Sequence, residues 1–256
     1  MEEGTNRNME AMRKPLQGIR NVIVFNWHYY VMSLGIILLI LVFTRYLNPT
    51  AQVLLYSLCG LVLFSVVVSL LVTLYIYDFS SLYSLEWVDM VDDDITIVNI
   101  HAGFDETSAL LKTKFPTATI HVFDFYNPKK HTEVSIERAR KYFPFTNDSI
   151  AIDTAQLPLP NGAVSKLFLI LAAHEIRDKE EQVIFFKEIH RVLKNDGAIY
   201  VTEHVRDIPN FFAYTIGCFH FFSQQHWLNV FQAAQLKMAK QIKTTPFITT
   251  YKLTKL

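Results

Sequence analysis

Cysteine is scarce in this chain, with two in 256 residues, Cys59 and Cys218. One lies inside an apolar run and the other far downstream, so no structural disulfide is expected and the usage suits a reducing cytosol. No Cys and His fall at metal-ligand spacing, and no metal is expected. Surplus charge is missing too: 24 basic and 24 acidic residues leave a formal net charge of +0. Without a field of one sign the chain has little to gather a polyanion, which argues against nucleic acid as a partner.

The most informative absence is local. No charged side chain occurs between Arg20 and Arg45, or between Arg45 and Asp78. A helix rises about 1.5 Å per residue, so about 20 apolar residues cross a hydrocarbon core of about 30 Å, and both stretches are long enough. The first, Val22 to Phe43, is too long for a signal peptide, and RYLNPT shows no small-residue cleavage pattern. Trp27, Tyr29 and Tyr30 fit an interfacial aromatic belt, with Asn26 and His28 in reach of the headgroups. Asn48-Pro49 is a turn signal. The expected result is a transmembrane hairpin in contact with a lipid bilayer. Arg7, Arg13, Lys14 and Arg20 precede it while only Arg45 lies in its loop, which puts the N-terminus in the cytoplasm and returns the chain there after two crossings. The expected division is a cytoplasmic segment 1–20, a hairpin 21–78, a juxtamembrane linker 79–94 and one domain 95–256. Leu82, Tyr83, Leu85, Trp87 and Val88 alternate with acids and serines in the linker, which either lies on the bilayer surface or packs as a short helix on the domain.

From Ile95 short apolar runs alternate with helical stretches, the pattern of an α/β domain with a parallel sheet and crossover helices. ITIVNI reads as the first strand, and Asp105 as the N-cap of a helix that Pro116 stops. TIHVFDF follows as a second strand, then a helix from Val134 to Tyr142. SIAIDTA and VSKLFLILAAHEI read as the third and fourth strands, KEEQVIFFKEIHRVLKN as an amphipathic helix closed by Gly197, and AIYVTEHV as the fifth strand. The tail, QIKTTP and FITTYKLTK, reads as an antiparallel pair at the sheet edge.

These landmarks, IVNIHAGFD, FDFY, IDTAQLPLPNGAVSKLFLILAAHEI and EIHRVLKNDGAIYVTEH in that order, resemble the class I S-adenosylmethionine-dependent methyltransferases (the methyltransferase type 11 group) over about Ile95 to Leu256. The resemblance implies a doubly wound, Rossmann-like sheet with an antiparallel C-terminal edge, preceded here by the two transmembrane helices, and S-adenosylmethionine as cofactor. It implies that Asp124, ending the second strand, binds the ribose, where a carboxylate can accept from both hydroxyls. Phe125 would pack on adenine, and Asp153, with the backbone of Thr154 and Ala155, would meet its amino group. The glycine loop departs from the family's pattern: Asn99, His101, Gly103 and Asp105 stand where an acid and alternating glycines are usual, so His101 narrows the methionine end of the site. Asn99 keeps a hydrogen-bonding side chain there, and Asp105 reads either as a carboxylate facing the cofactor's cationic end or as a helix cap.

A methyl acceptor that must lose a proton needs a base, and His174 beside Glu175, His204 and His220 follow strands four and five where a substrate should lie. The aromatic segment Phe211 to Trp227 could line an apolar pocket, which with the hairpin points to a hydrophobic or lipid-linked small-molecule acceptor. Two other classes compete. A membrane scaffold that kept the fold and lost the cofactor is favoured by the poor glycine loop, while a nicotinamide-dependent oxidoreductase lacks G-x-G-x-x-G.

Overall fold

The computed structural model describes residues 13–89, 95–143 and 148–256. Arg7, counted in the charge argument above, and the acidic end of the linker at 92–94 lie outside the described residues.

Among the described residues two long helices come first, α1 (Gln17–Thr44) and α2 (Pro49–Leu74), which pack on each other. Asn48 caps α2 by accepting from the Ala51 amide at 2.9 Å, with Pro49 at the first helical position where no amide is needed. At the N-terminus of α1, Leu16 offers no side-chain cap. Asp78 does this work from the far end of the hairpin: its carboxylate oxygens accept from the Gly18 and Ile19 amides, both at 2.8 Å. Gly18 allows the approach, since a Cβ there would stand 2.3 Å from Cβ of Tyr77. Only 11% of the apolar window of α1 and 17% of that of α2 is buried, so these are not core helices of a globular domain; by length and composition both could cross a membrane.

After a wide helical turn, Tyr75–Phe79, the chain enters the domain. Leu82, Tyr83, Leu85 and Val88 are buried against Ile97, Leu110, Phe168, Tyr200 and Ile248, so of the two readings of the linker, packing on the domain holds. They do so in successive turns and not as the short helix of that reading.

The domain consists of β1 (Thr96–His101), α3 (Ser108–Lys114), β2 (Thr119–Asp124), α4 (Val134–Tyr142), β3 (Ile150–Ala151), β4 (Val164–Ile170), α5 (Lys179–Val192), β5 (Leu193–His204), α6 (Ile208–Tyr214), α7 (Gln224–Ala233), β6 (Leu236–Lys243) and β7 (Ile248–Lys255). The seven strands pair in the order β3-β2-β1-β4-β5-β7-β6, with β7 antiparallel to both neighbours. This is the doubly wound, Rossmann-like methyltransferase sheet with an antiparallel edge. The order reverses between β1 and β4, and a crevice opens at the carboxyl ends of the strands there.

Two elements differ from the sequence reading. The third strand shrinks to two exposed residues. The fifth begins at Leu193, directly after α5, so Gly197 is a strand residue and not a helix stop. A Cβ at 197 would meet the Leu193 side chain at 2.9 Å and the Val164 carbonyl at 3.0 Å, beside the bulge where β4 and β5 lose register.

Candidate functional site

A cavity of about 470 Å³ opens at the crevice, lined by His101, Gly103, Asp105 and Asp124 and, on the hairpin side, by Arg13 and Gln17. Asp124 is buried; its Oδ1 accepts from the Tyr126 amide at 2.9 Å, and its Oδ2 from Nη1 of Arg140 on α4 at 2.5 Å. Gly103 has φ of +85°, a conformation that glycine adopts without strain, and a Cβ there would lie 3.0 Å from the Arg140 guanidinium.

The rest of the loop is stiffened by its own polar groups. Asn99, buried on β1, donates through Nδ2 to Thr107 Oγ1 at 2.9 Å and Ser108 Oγ at 2.8 Å. Asp105 Oδ1 accepts from the amides of Thr107 and Ser108, so Asp105 caps the helix from two residues ahead of the cap position while also lining the cavity. Glu106 holds the loop to the hairpin, accepting from Gln17 and Asn21 at 3.1 Å each and from the Tyr83 hydroxyl at 2.8 Å, with Arg13 at 3.3 Å. Sequence reasoning passed over Glu106 because its partners are distant in the chain.

His101 is buried in the cavity wall with Nδ1 3.9 Å from Asp124, and neither ring nitrogen has a hydrogen-bond partner among the described residues. Burial pushes its pKa down, Asp105 and Asp124 pull against that, and Arg140 adds to it, leaving a neutral ring. The imidazole narrows the space without filling it. The residues fit a bound adenosyl ligand: a strand-end carboxylate, a positive-φ glycine, unpartnered ring nitrogens and a cavity within the usual range of about 300–1,000 Å³.

The other expected cofactor contacts lie elsewhere. Phe125 points into the core, edge-on to His131 and against Phe185, because adjacent strand residues face opposite ways. Asp153 and Ala155 line a separate surface depression of about 690 Å³, where Asp153 accepts from the Ala155 amide, and the Thr154 hydroxyl donates to Glu181. Leu157, Leu159, Glu188 and Arg191 share that depression. Arg191 donates to the carbonyls of Leu157 and Leu159 while Glu188 accepts from the Leu157 amide, so the two most specific sequence landmarks, the LP-rich turn and the Arg-Val-Leu helix end, clamp each other.

The three histidines read as bases have different chemistry. His174 lies between Glu203, 2.6 Å from Nδ1, and Glu175, 3.2 Å from Nε2. Burial disfavours its charge, yet the two carboxylates prevail and raise its pKa well above the ordinary value. An imidazolium held this way is a poor proton acceptor. His204 has Nδ1 3.1 Å from Asn210 Oδ1 and Nε2 2.9 Å from the Tyr77 hydroxyl. The Asn210 amide group donates to Asp207 and to the Phe247 carbonyl, which leaves its oxygen for an Nδ1–H and makes Nε2 the acceptor from Tyr77. Stacked on Phe221 and buried, with its pKa lowered to about 4, His204 joins the hairpin to the domain. His220 is partly exposed, 3.6 Å from Glu133, its pKa also lowered to about 4 by burial and by the His174 and Arg177 charges. The aromatic segment lines no single pocket: Trp227 is in the core, Phe221 covers His204, and Phe211, Phe212 and Phe219 are exposed.

Comparison with known proteins finds one family model and solved structures of similar fold. Residues 103–201 match the family model described as a methyltransferase domain. Among solved structures, a SAM-dependent methyltransferase from Aquifex aeolicus is 13% identical with a TM-score of 0.46, covering 64% of this chain and 84% of its own. Geranyl diphosphate C-methyltransferase from Streptomyces coelicolor A3(2) is 11% identical with a TM-score of 0.48, covering 67% and 76%. At that identity and score the likeness concerns the path of the chain and carries nothing about substrate. No curated protein matches. Over residues 103–201 this chain is thus similar to methyltransferase domains, and the cofactor that the match supports is S-adenosylmethionine.

Proposed function

We propose that the chain is a membrane-anchored S-adenosylmethionine-dependent methyltransferase whose acceptor is a hydrophobic or lipid-linked small molecule met at the cytosolic face. The observation that carries this reading is the joint construction of the cavity: strand-end groups Asp124 and Gly103 on one side, Arg13 and Gln17 from the root of the hairpin on the other. The contact of Asp78 with Gly18 and Ile19 supports a two-pass arrangement, because it keeps both ends of the hairpin on one face. The cofactor, when bound, supplies an activated methyl group. Asp124 would receive the ribose hydroxyls and Gly103 would let the backbone close in, while His220, neutral and partly exposed, is the one of the three histidines open to an acceptor, a weak base at a pKa of about 4.

Calorimetric titration of S-adenosylmethionine into the full chain in detergent tests this. Binding is expected, and Asp124→Ala is expected to weaken it by about tenfold or more, the loss of charge-assisted hydrogen bonds. Absence of binding in the unaltered protein would leave the reading of a scaffold without cofactor, which the Arg140 contact to Asp124 favours. Methyl label should then enter material that organic solvent extracts; label confined to the aqueous phase rules out the hydrophobic acceptor.

A further inference from the structure

Twelve residues without a charge, Ile208 to Phe219, follow β5 and form α6 and the turn Thr215–His220. Their largest apolar side chains face outward: Ile208 is 73% exposed, Phe211 47%, Phe212 72%, Ile216 82% and Phe219 61%. Five such groups in one short segment form a patch that a water-facing surface seldom carries. Its position is defined, because α6 packs on α2 and the side chains of Tyr214 and Thr73 are hydrogen-bonded. Thr73 lies 73 − 49 = 24 residues along α2 from Pro49, or about 36 Å at 1.5 Å per residue. A hydrocarbon core of about 30 Å ends just before that level. The patch thus adjoins the lipid-facing side of the hairpin at the depth where acyl chains give way to headgroups.

We infer that Ile208, Phe211, Phe212, Ile216 and Phe219 form a second, non-spanning membrane contact that dips into the cytosolic leaflet beside the hairpin and seats the catalytic face on the phospholipid surface. This rests on the membrane-anchored reading and adds to it an element that the hairpin alone does not require. Apolar faces of this type sit about 5–10 Å into the boundary. The segment ends at His220, so an acceptor dissolved in the leaflet would meet the protein there.

The test uses the full chain with Cys59→Ala and Cys218→Ala, carrying an NBD fluorophore at Phe212→Cys or, as a second position, Ile216→Cys. It is reconstituted in vesicles of phosphatidylcholine and phosphatidylglycerol with doxyl groups high on the acyl chains. Leu61→Cys in α2 reports the anchor and Asn161→Cys the aqueous side. Labels at 212 and 216 are expected to be quenched about twofold and blue-shifted, as boundary residues should be, with 61 also shielded from water and 161 unaffected. Quenching absent at 212 and 216 while 61 is shielded overturns this inference alone. If 61 also behaves like 161, the anchor itself fails and the inference with it. Labels at 212 and 216 that are shielded from water yet untouched by doxyl lipid point to a second copy of the chain on the patch and overturn it too.

Discussion

At Asp124 the side chain that should receive a ribose already holds a guanidinium, 2.5 Å away, from an arginine sixteen residues later. Binding of the cofactor and the Arg140 contact therefore compete for one carboxylate. Arg140→Ala is expected to tighten S-adenosylmethionine binding by about tenfold, the size of one charge-assisted hydrogen bond, in the titration used for Asp124→Ala; weaker binding would make Arg140 a ligand contact. His204 gives a pH signature. Its folded pKa, about 4, lies below the ordinary 6.5, so the unfolded chain binds more protons between those values and the stability it contributes is present above pH 6.5 and lost as pH falls towards 4. His204→Gln should melt lower at pH 7.5 and show a shallower fall in stability from pH 6.5 to 4, measured by thermal unfolding in detergent. His174 runs the other way: its raised pKa gives stability that is full below the unfolded value and lost as pH rises through the folded one. The place of Asp124 at the crevice was legible because it ends an apolar strand at a landmark of the family pattern. Phe125 was misread because strand alternation turns the next residue into the core, and His174 because Glu203, its partner, is adjacent only across two strand ends.

Among the elements, helices and central strands were readable from period and length, while boundaries set by tertiary contact were not. Nothing local says that α5 stops at Val192, since LKN continues an amphipathic pattern and Gly197 resembles a stop; pairing of Leu193 with Val164 decides it. The cap of α1 was equally hidden, since its acceptor is sixty residues away. Asp78→Ala is expected to destabilise the docked hairpin by about 0.5–2 kcal/mol, the range for losing an N-cap, and to speed hydrogen exchange at Gly18 and Ile19. Gly18→Val should do more harm, because its side chain would have to displace Tyr77, whose hydroxyl meets His204.

Across the whole molecule the division into anchor, linker and domain is less clean than composition suggests. Residues read as linker are core: Leu82, Leu85 and Val88 are buried among β1, β4 and β5 side chains. A chain begun at Ile95 is expected to lose the several kcal/mol that burying three such residues contributes, at about 1.5–3 kcal/mol each, and to melt well below one begun at Asp78, as circular dichroism would register. Equal melting temperatures for the two would show that the stretch adds nothing to the fold.

The acid that finishes the first helix has a consequence for biosynthesis. When residues 17–44 leave the ribosome, the amides at their leading end still lack Asp78, which is made only after the second helix is complete. The two helices thus mature as one unit, since the leading end of the first is finished only when the residue that follows the second has been made.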